Sequence, residues 1–118
     1  MDPRFTLKKN SDFRRLYHKG KSAVNGYMVL YCRKNNLGRS RIGYTVSAKL
    51  GGAVVRNRVR RRYREIYRLN SSQLQPGYDL ILVARTRSVG AKYSKMNNAF
   101  LKACHELKLC RVEAQPEE

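Results

Sequence analysis

Acidic side chains are what this sequence most lacks. Its 118 residues carry 26 Lys and Arg against 8 Asp and Glu, a net charge of +18, and no acid occurs between Asp12 and Glu65. Charge of one sign on this scale repels itself in the folded state, and solubility asks for far less. A polyanionic partner is the reading that explains it. Asp12, Glu65 and Asp79 show no spacing that would gather them on a catalytic metal, which argues against a protein-only nuclease. Long apolar runs are missing too, since Tyr27 to Cys32 and Leu80 to Ala84 are too short to span a bilayer. The amino terminus, Met1-Asp2-Pro3-Arg4-Phe5, has neither the apolar stretch nor the cleavage site of a secretory signal. A cytoplasmic protein with no membrane partner is expected. Cys32, Cys104 and Cys110 are an odd number without a paired-thiol motif, so neither a disulfide framework nor a structural zinc site is indicated. Cys104, His105 and Cys110 lack a fourth metal ligand, and His18 and His105 lack an acid or nucleophile partner. The expectation is therefore no metal site and no catalytic residue on this chain.

What is present suits one domain over residues 1–118, large enough to bury roughly two thirds of its unfolded surface. Asp12 favours the positive start of a short helix that Ser11 can cap, with Phe13, Leu16 and Tyr17 on one face and Gly20 as its stop. From Tyr27, Met28, Leu30 and Cys32 alternate with Tyr27, Val29 and Tyr31 as in a strand. The turn-rich Asn35-Asn36-Leu37-Gly38 then leads into Arg41 to Ser47, with Ile42, Tyr44 and Val46 on one side, which reads as an antiparallel hairpin. Past Gly51-Gly52 the period changes, and Val55, Val59, Tyr63, Ile66 and Tyr67 mark one face of a helix. Asp79 to Arg85 is continuously apolar at its centre and predicts a buried central strand. Met96, Phe100, Ala103, Cys104 and Leu107 predict a last helix from about Ser94, and Arg111 to Glu118 reads as a frayed tail. The order helix, strands, helix, strand, helix gives one α+β core.

The helix from about Ala53 to Leu69 is the informative element. Arg56, Arg60, Arg61, Arg64 and Arg68 recur at spacings that set them opposite its apolar stripe, and only Glu65 offers compensation. Like charges at these spacings cost a few tenths of a kcal/mol per pair in an isolated helix, a cost that an anion relieves. Arginine suits phosphate because its planar guanidinium donates two parallel hydrogen bonds to one group. The competing reading is a solvated basic face. Phe13, Tyr17 and Tyr31 add aromatics able to stack on unpaired bases, which favours single-stranded RNA over duplex DNA, although each ring taken alone suits core packing equally well. Arg62, flanking Val59 and Ile66, is expected to lay its stem on the core and extend its charge outward.

The segment Val46-Ser47-Ala48-Lys49-Leu50-Gly51-Gly52-Ala53-Val54-Val55-Arg56-Asn57-Arg58-Val59-Arg60-Arg61 closely resembles the signature of the bacterial ribonuclease P protein family, centred on Arg-Asn-Arg, with Ala48 in place of a second basic residue. Supporting similarity runs from Leu7-Lys8-Lys9 and Asp12-Phe13 through Arg41-Ile42-Gly43 to Asp79-Leu80-Ile81 and the closing helix. The resemblance implies a single-domain α/β sandwich, with a small mixed sheet of about four strands and an uncommon left-handed crossover through the arginine helix, a hand that periodicity does not reveal. It also implies that Lys49, Arg56, Asn57, Arg58, Arg60, Arg61, Arg64 and Arg68 face a catalytic RNA, while Phe13, Tyr17 and Tyr31 line a cleft for the 5′ leader of precursor tRNA.

In the function so implied, the RNA subunit carries Mg2+ and the bond chemistry, and the protein neutralises phosphates and grips the leader, with no obligate protein partner. The rival class is a ribosomal or general RNA-binding protein without a role in cleavage. Composition alone favours that rival, and the Arg56-Asn57-Arg58 signature speaks against it.

Overall fold

The computed structural model describes residues 5–111; the tail reading, apart from Arg111, and the first four residues of the amino terminus fall outside them. The chain runs α1 (Asn10–Lys19), β1 (Lys21–Val24), β2 (Met28–Lys34), β3 (Arg41–Thr45), α2 (Ala53–Asn70), β4 (Tyr78–Ala84) and α3 (Tyr93–Glu106), with short 3-10 turns between some of them. The four strands form one sheet in the order β1-β2-β4-β3. β2 pairs antiparallel with β1 and β4, and β3 pairs parallel with β4.

β4 is central because both of its faces are apolar. Leu80, Leu82 and Ala84 enter the larger core with Met28, Leu30 and Cys32 of β2 and with Val59, Tyr63, Ile66, Met96 and Phe100 of α2 and α3. Ile81 points to the other face, where Leu7 and Leu16 bury it and Phe13, Tyr31 and Val83 pack around. Helices therefore cover both faces, α1 on one and α2 with α3 on the other, the sandwich expected. A continuous apolar run is what a strand covered on both sides requires.

The expected hairpin between β2 and β3 does not form. β4 lies between them, and the loop from Asn35 crosses its start, with Asn35 N–H donating to Gly77 O at 2.8 Å and Tyr78 N–H to Ser40 Oγ at 3.2 Å. The turn residues do bend the chain, with Asn36 and Gly38 at positive φ, but the all-apolar strand displaces the half-exposed β3 to an outer place. Leu7 N–H donates to Ile42 O at 3.0 Å along the outer side of β3. α1 begins one residue before Ser11, and no side chain caps it. β1 carries too little apolar pattern to be read from sequence, since only Ala23 of its four residues is buried.

Candidate nucleic-acid interface

α2 starts without a side-chain cap and without an acid in its first turn, so helix propensity and dipole do little to hold its charges together. Gly51 at φ 142 makes the entry, a region that disfavours a Cβ. Packing supplies the stability: Val59, Tyr63, Ile66 and Asn70 are buried. Tyr63 OH donates to Tyr27 O at 2.8 Å, and Asn70 Nδ2 donates to Ile66 O and Asn97 Oδ1, each at 2.8 Å. Arg62 lies on the flank of the core as expected, but its charge is not extended freely outward. It is half-buried and its Nη1 donates to Ala91 O at 2.8 Å, which ties the helix to the loop before α3.

The arginines do not form one uniform rail. Asn57, Arg58, Arg61, Arg64 and Arg68 are exposed, and Lys49 is exposed in the turn just before the helix, where Ser47 Oγ accepts from its N–H. Arg56 and Arg60 are half-buried on the flank shared with Tyr63 and Tyr67, so the expectation that they stand opposite the apolar stripe is corrected. Arg60 Nη1 donates to Asn57 Oδ1 at 3.0 Å. Arg56 Nε is buried without a hydrogen-bond partner among the described residues, and an unmet buried donor costs about 1 to 3 kcal/mol. Arg68 donates to Glu65 from Nε at 3.0 Å and from Nη2 at 2.8 Å, and these hydrogen bonds hold the Glu65 carboxyl below its ordinary pKa. Arg68 is thus the member of the set whose charge is already answered.

On the opposite face of the sheet, α1 and the strands bring Phe13, Tyr17 and Tyr31 together. Tyr17 meets Tyr31 edge-on with centroids 4.9 Å apart, and Phe13 lies 6.4 Å from Tyr17. The Tyr17 hydroxyl is hydrogen-bonded to Thr45 Oγ1 at 3.1 Å. Phe13 rests on Gly43, where a Cβ would come within 2.5 Å of its ring. Phe13 and Tyr31 are half-buried against Leu7, Leu16 and Ile81, whereas Tyr17 remains 39% exposed. The rings are therefore a packed floor with one open edge, a position between the two readings the sequence allowed. A cavity of about 470 Å3 opens beside Phe13 and Tyr17, and its other walls are Asn10 and Arg14. Arg14 was not singled out from sequence; its place one turn after Asn10 and one turn before Tyr17 was the available signal.

Three acids in the described residues answer arginines. Arg41 donates to Asp79 from Nε at 2.9 Å and from Nη2 at 2.7 Å, and its Nη1 lies 3.9 Å from Asp12. Asp12 also faces Arg15 at 3.7 Å. Among the described residues no three His, Cys, Asp or Glu side chains gather as a metal site.

Comparison with known proteins follows the same lines. The family model described as Ribonuclease P matches residues 1–108. The ribonuclease P protein component of Natranaerobius thermophilus is 44% identical over 88% of this chain and 90% of its own length. That of Clostridioides difficile is 47% identical over 79% of this chain and 82% of its own. Among solved structures, the Staphylococcus aureus RNase P protein superposes with a TM-score of 0.83 at 32% identity, covering 91% of this chain and 98% of that one. The Thermotoga maritima protein gives 0.76 at 31% identity, covering 87% and 94%. With its signature helix, its mixed four-stranded sheet and relatives of this identity over nearly their whole length, the chain belongs to the bacterial ribonuclease P protein family.

Proposed function

We propose that this chain, the protein subunit of the endoribonuclease ribonuclease P, assists 5′-end processing of tRNA by holding RNA on two separate surfaces. The exposed arginines of α2, with Lys49 and Asn57, bind the backbone of the catalytic RNA. The cleft between α1 and the sheet takes the single-stranded leader of precursor tRNA, one base stacking against the Tyr17 edge of the aromatic floor while Arg14 faces a phosphate. The observation that carries this reading is the placement of the two surfaces on opposite faces of the sheet. Two RNA segments are then bound at once without competing for one patch. Among the described residues Asp12, Asp79 and Glu65 each lie beside an arginine and no cluster of acids, His or Cys gathers, and in this reading the catalytic Mg2+ belongs to the RNA. No helix among the described residues is long and apolar enough to cross a membrane, and a cytoplasmic place suits a partner of tRNA precursors.

Reconstitution tests it. Purified chain, a bacterial ribonuclease P RNA and leader-bearing precursor tRNA are combined at limiting Mg2+. The protein is expected to leave precursor intact alone and to increase leader removal with the RNA. RNA binding without any gain in cleavage would support the general RNA-binding alternative instead.

A further inference from the structure

A groove of about 720 Å3 lies between α2 and β3, on the sheet face away from the aromatic cleft, and no reading of the sequence anticipated it. Its volume falls within the ~300 to 1,000 Å3 typical of small-ligand sites. It exists because α2 ends at Asn70 and the chain returns to β4 through Leu74 and Pro76, leaving the side of the helix open over the outer strand. The walls are mixed, and the one acid among the described lining residues, Glu65, is held by Arg68 at 2.8 Å. Ile42, Tyr44, Tyr67 and Leu74 make an apolar floor, while Arg61 and Arg64 stand on the rim. Arg111 closes one end, fixed there by its N–H donating to Gln73 O at 2.7 Å.

The two tyrosines distinguish this floor from a patch of ordinary core. Tyr67 is locked edge-on against Phe100, with centroids 6.5 Å apart, and both rings pack on the core, yet neither hydroxyl has a hydrogen-bond partner among the described residues. Tyr63, fully buried one turn before Tyr67, has its hydroxyl taken up by Tyr27 O at 2.8 Å. Tyr44 and Tyr67 are only partly buried and their hydroxyls remain within reach of solvent, so the groove presents two open donor-acceptor groups beside two exposed guanidinium groups. Burial pushes the Tyr44 and Tyr67 pKa values up, and both stay protonated at any physiological pH.

We propose that this groove receives one unpaired nucleotide of the bound RNA, its base on the floor with a polar edge against the Tyr44 and Tyr67 hydroxyls, its phosphate on Arg61 and Arg64. The proposal rests on the reading of the chain as an RNA-binding subunit and adds a nucleotide-sized site to its arginine face. A hydroxyl both donates and accepts, which matches the mixed edge of a base, and paired guanidinium groups match a phosphate. The source is RNA because the exposed arginines continue beyond the groove along α2 to Arg58, following a backbone further than a free mononucleotide reaches.

The test uses the full chain and the double variant Tyr44→Phe with Tyr67→Phe, which keeps both rings and removes only the unpaired hydroxyls. Affinity is measured by fluorescence anisotropy for a short single-stranded oligoribonucleotide and for an abasic strand of equal charge. The double variant is expected to bind the base-bearing strand about five- to tenfold more weakly, the loss of one or two hydrogen bonds, with abasic binding and the unfolding midpoint unchanged. Equal affinities of variant and wild type for the base-bearing strand, or an equal loss on the abasic strand, would overturn the proposal. AMP at micromolar concentration is the second arm. If it displaces the oligoribonucleotide from wild type but not from the variant, the ligand is a free mononucleotide and the RNA assignment falls; no displacement supports RNA. Both proteins are also assayed in the reconstituted enzyme. A wild type that gives no gain in precursor cleavage sinks the subunit reading, whereas an unchanged base-to-abasic ratio with normal cleavage sinks only the groove.

Discussion

Arg41 carries more of the fold than its place on an outer strand suggests. Its guanidinium is bonded twice by Asp79 and lies near Asp12, so it ties β3 to β4 and to α1. Arg41→Met leaves the nearly buried Asp79 carboxylate without its main partner and removes one of the two arginines beside Asp12. A loss on the order of 3 kcal/mol is expected, read as a lower urea midpoint at unchanged m-value. Arg56 is the opposite case, because its buried Nε–H has no partner in the free protein. Arg56→Met keeps the stem and removes the unmet donor. Stability should stay level or rise by up to about 1 kcal/mol, while affinity for the RNA subunit falls; a variant that instead unfolds more readily would show the guanidinium to be a structural group. The contrast separates arginines that build the molecule from those that wait for a ligand.

At the scale of elements, the bare Cα of Gly43 leaves room for the Phe13 ring of α1 on the sheet. Gly43→Ala places a methyl group within 2.5 Å of the Phe13 ring and 3.2 Å of Leu7 Cβ. Overpacking of this kind costs about 1 to 3 kcal/mol, and it should also widen the gap between Phe13 and Tyr17. A lower thermal midpoint together with a reduced preference for leader-bearing over mature tRNA is the expected pair of results. α2 offers a graded test. Arg61→Gln and Arg64→Gln each remove an exposed, uncompensated charge, and each should flatten the slope of log affinity against log salt by about one. Arg68→Gln should change it less, since Glu65 already engages that guanidinium at 2.8 Å. Slopes unchanged from wild type in all three folded variants would return the helix to a merely solvated basic face, and an equal flattening by all three would give Arg68 a phosphate contact as well.

For the molecule as a whole, pH acts through buried neutral groups. Burial, more than the neighbouring Cys110 and Cys32, pushes the Cys104 thiol up to about 12, and burial pushes the Tyr63 phenol to about 12. Both are raised in the folded state, so the unfolded chain loses these protons first as pH climbs. Their stabilising contribution is complete below about pH 8, where a free thiol is still mostly protonated, and is lost as pH rises towards 12. Urea midpoints should therefore fall over that alkaline range, and the fall should be shallower in Cys104→Ala. A midpoint that is flat from pH 9 to the same limit would contradict the buried placement of Cys104.

The sequence by itself determined the charge, the periods and the signature. A run without acids from Phe13 to Arg64, a helical stripe at Val59, Tyr63 and Ile66, and an all-apolar β4 are local patterns, and local patterns dictate which segments become helix or strand and that the partner is a polyanion. Tertiary structure alone decided the strand order, since a turn at Asn36 and Gly38 bends the chain equally well towards β2 or past it, and only the double-faced burial of β4 selects between them. It also decided the arginines: residues alike in sequence became a structural tie at Arg41, a half-buried donor at Arg56, an answered charge at Arg68 and open cations at Arg61 and Arg64. What separates them is distance to Asp79, Glu65 or solvent, a relation through space between residues up to 38 positions apart, and no period along the chain encodes it.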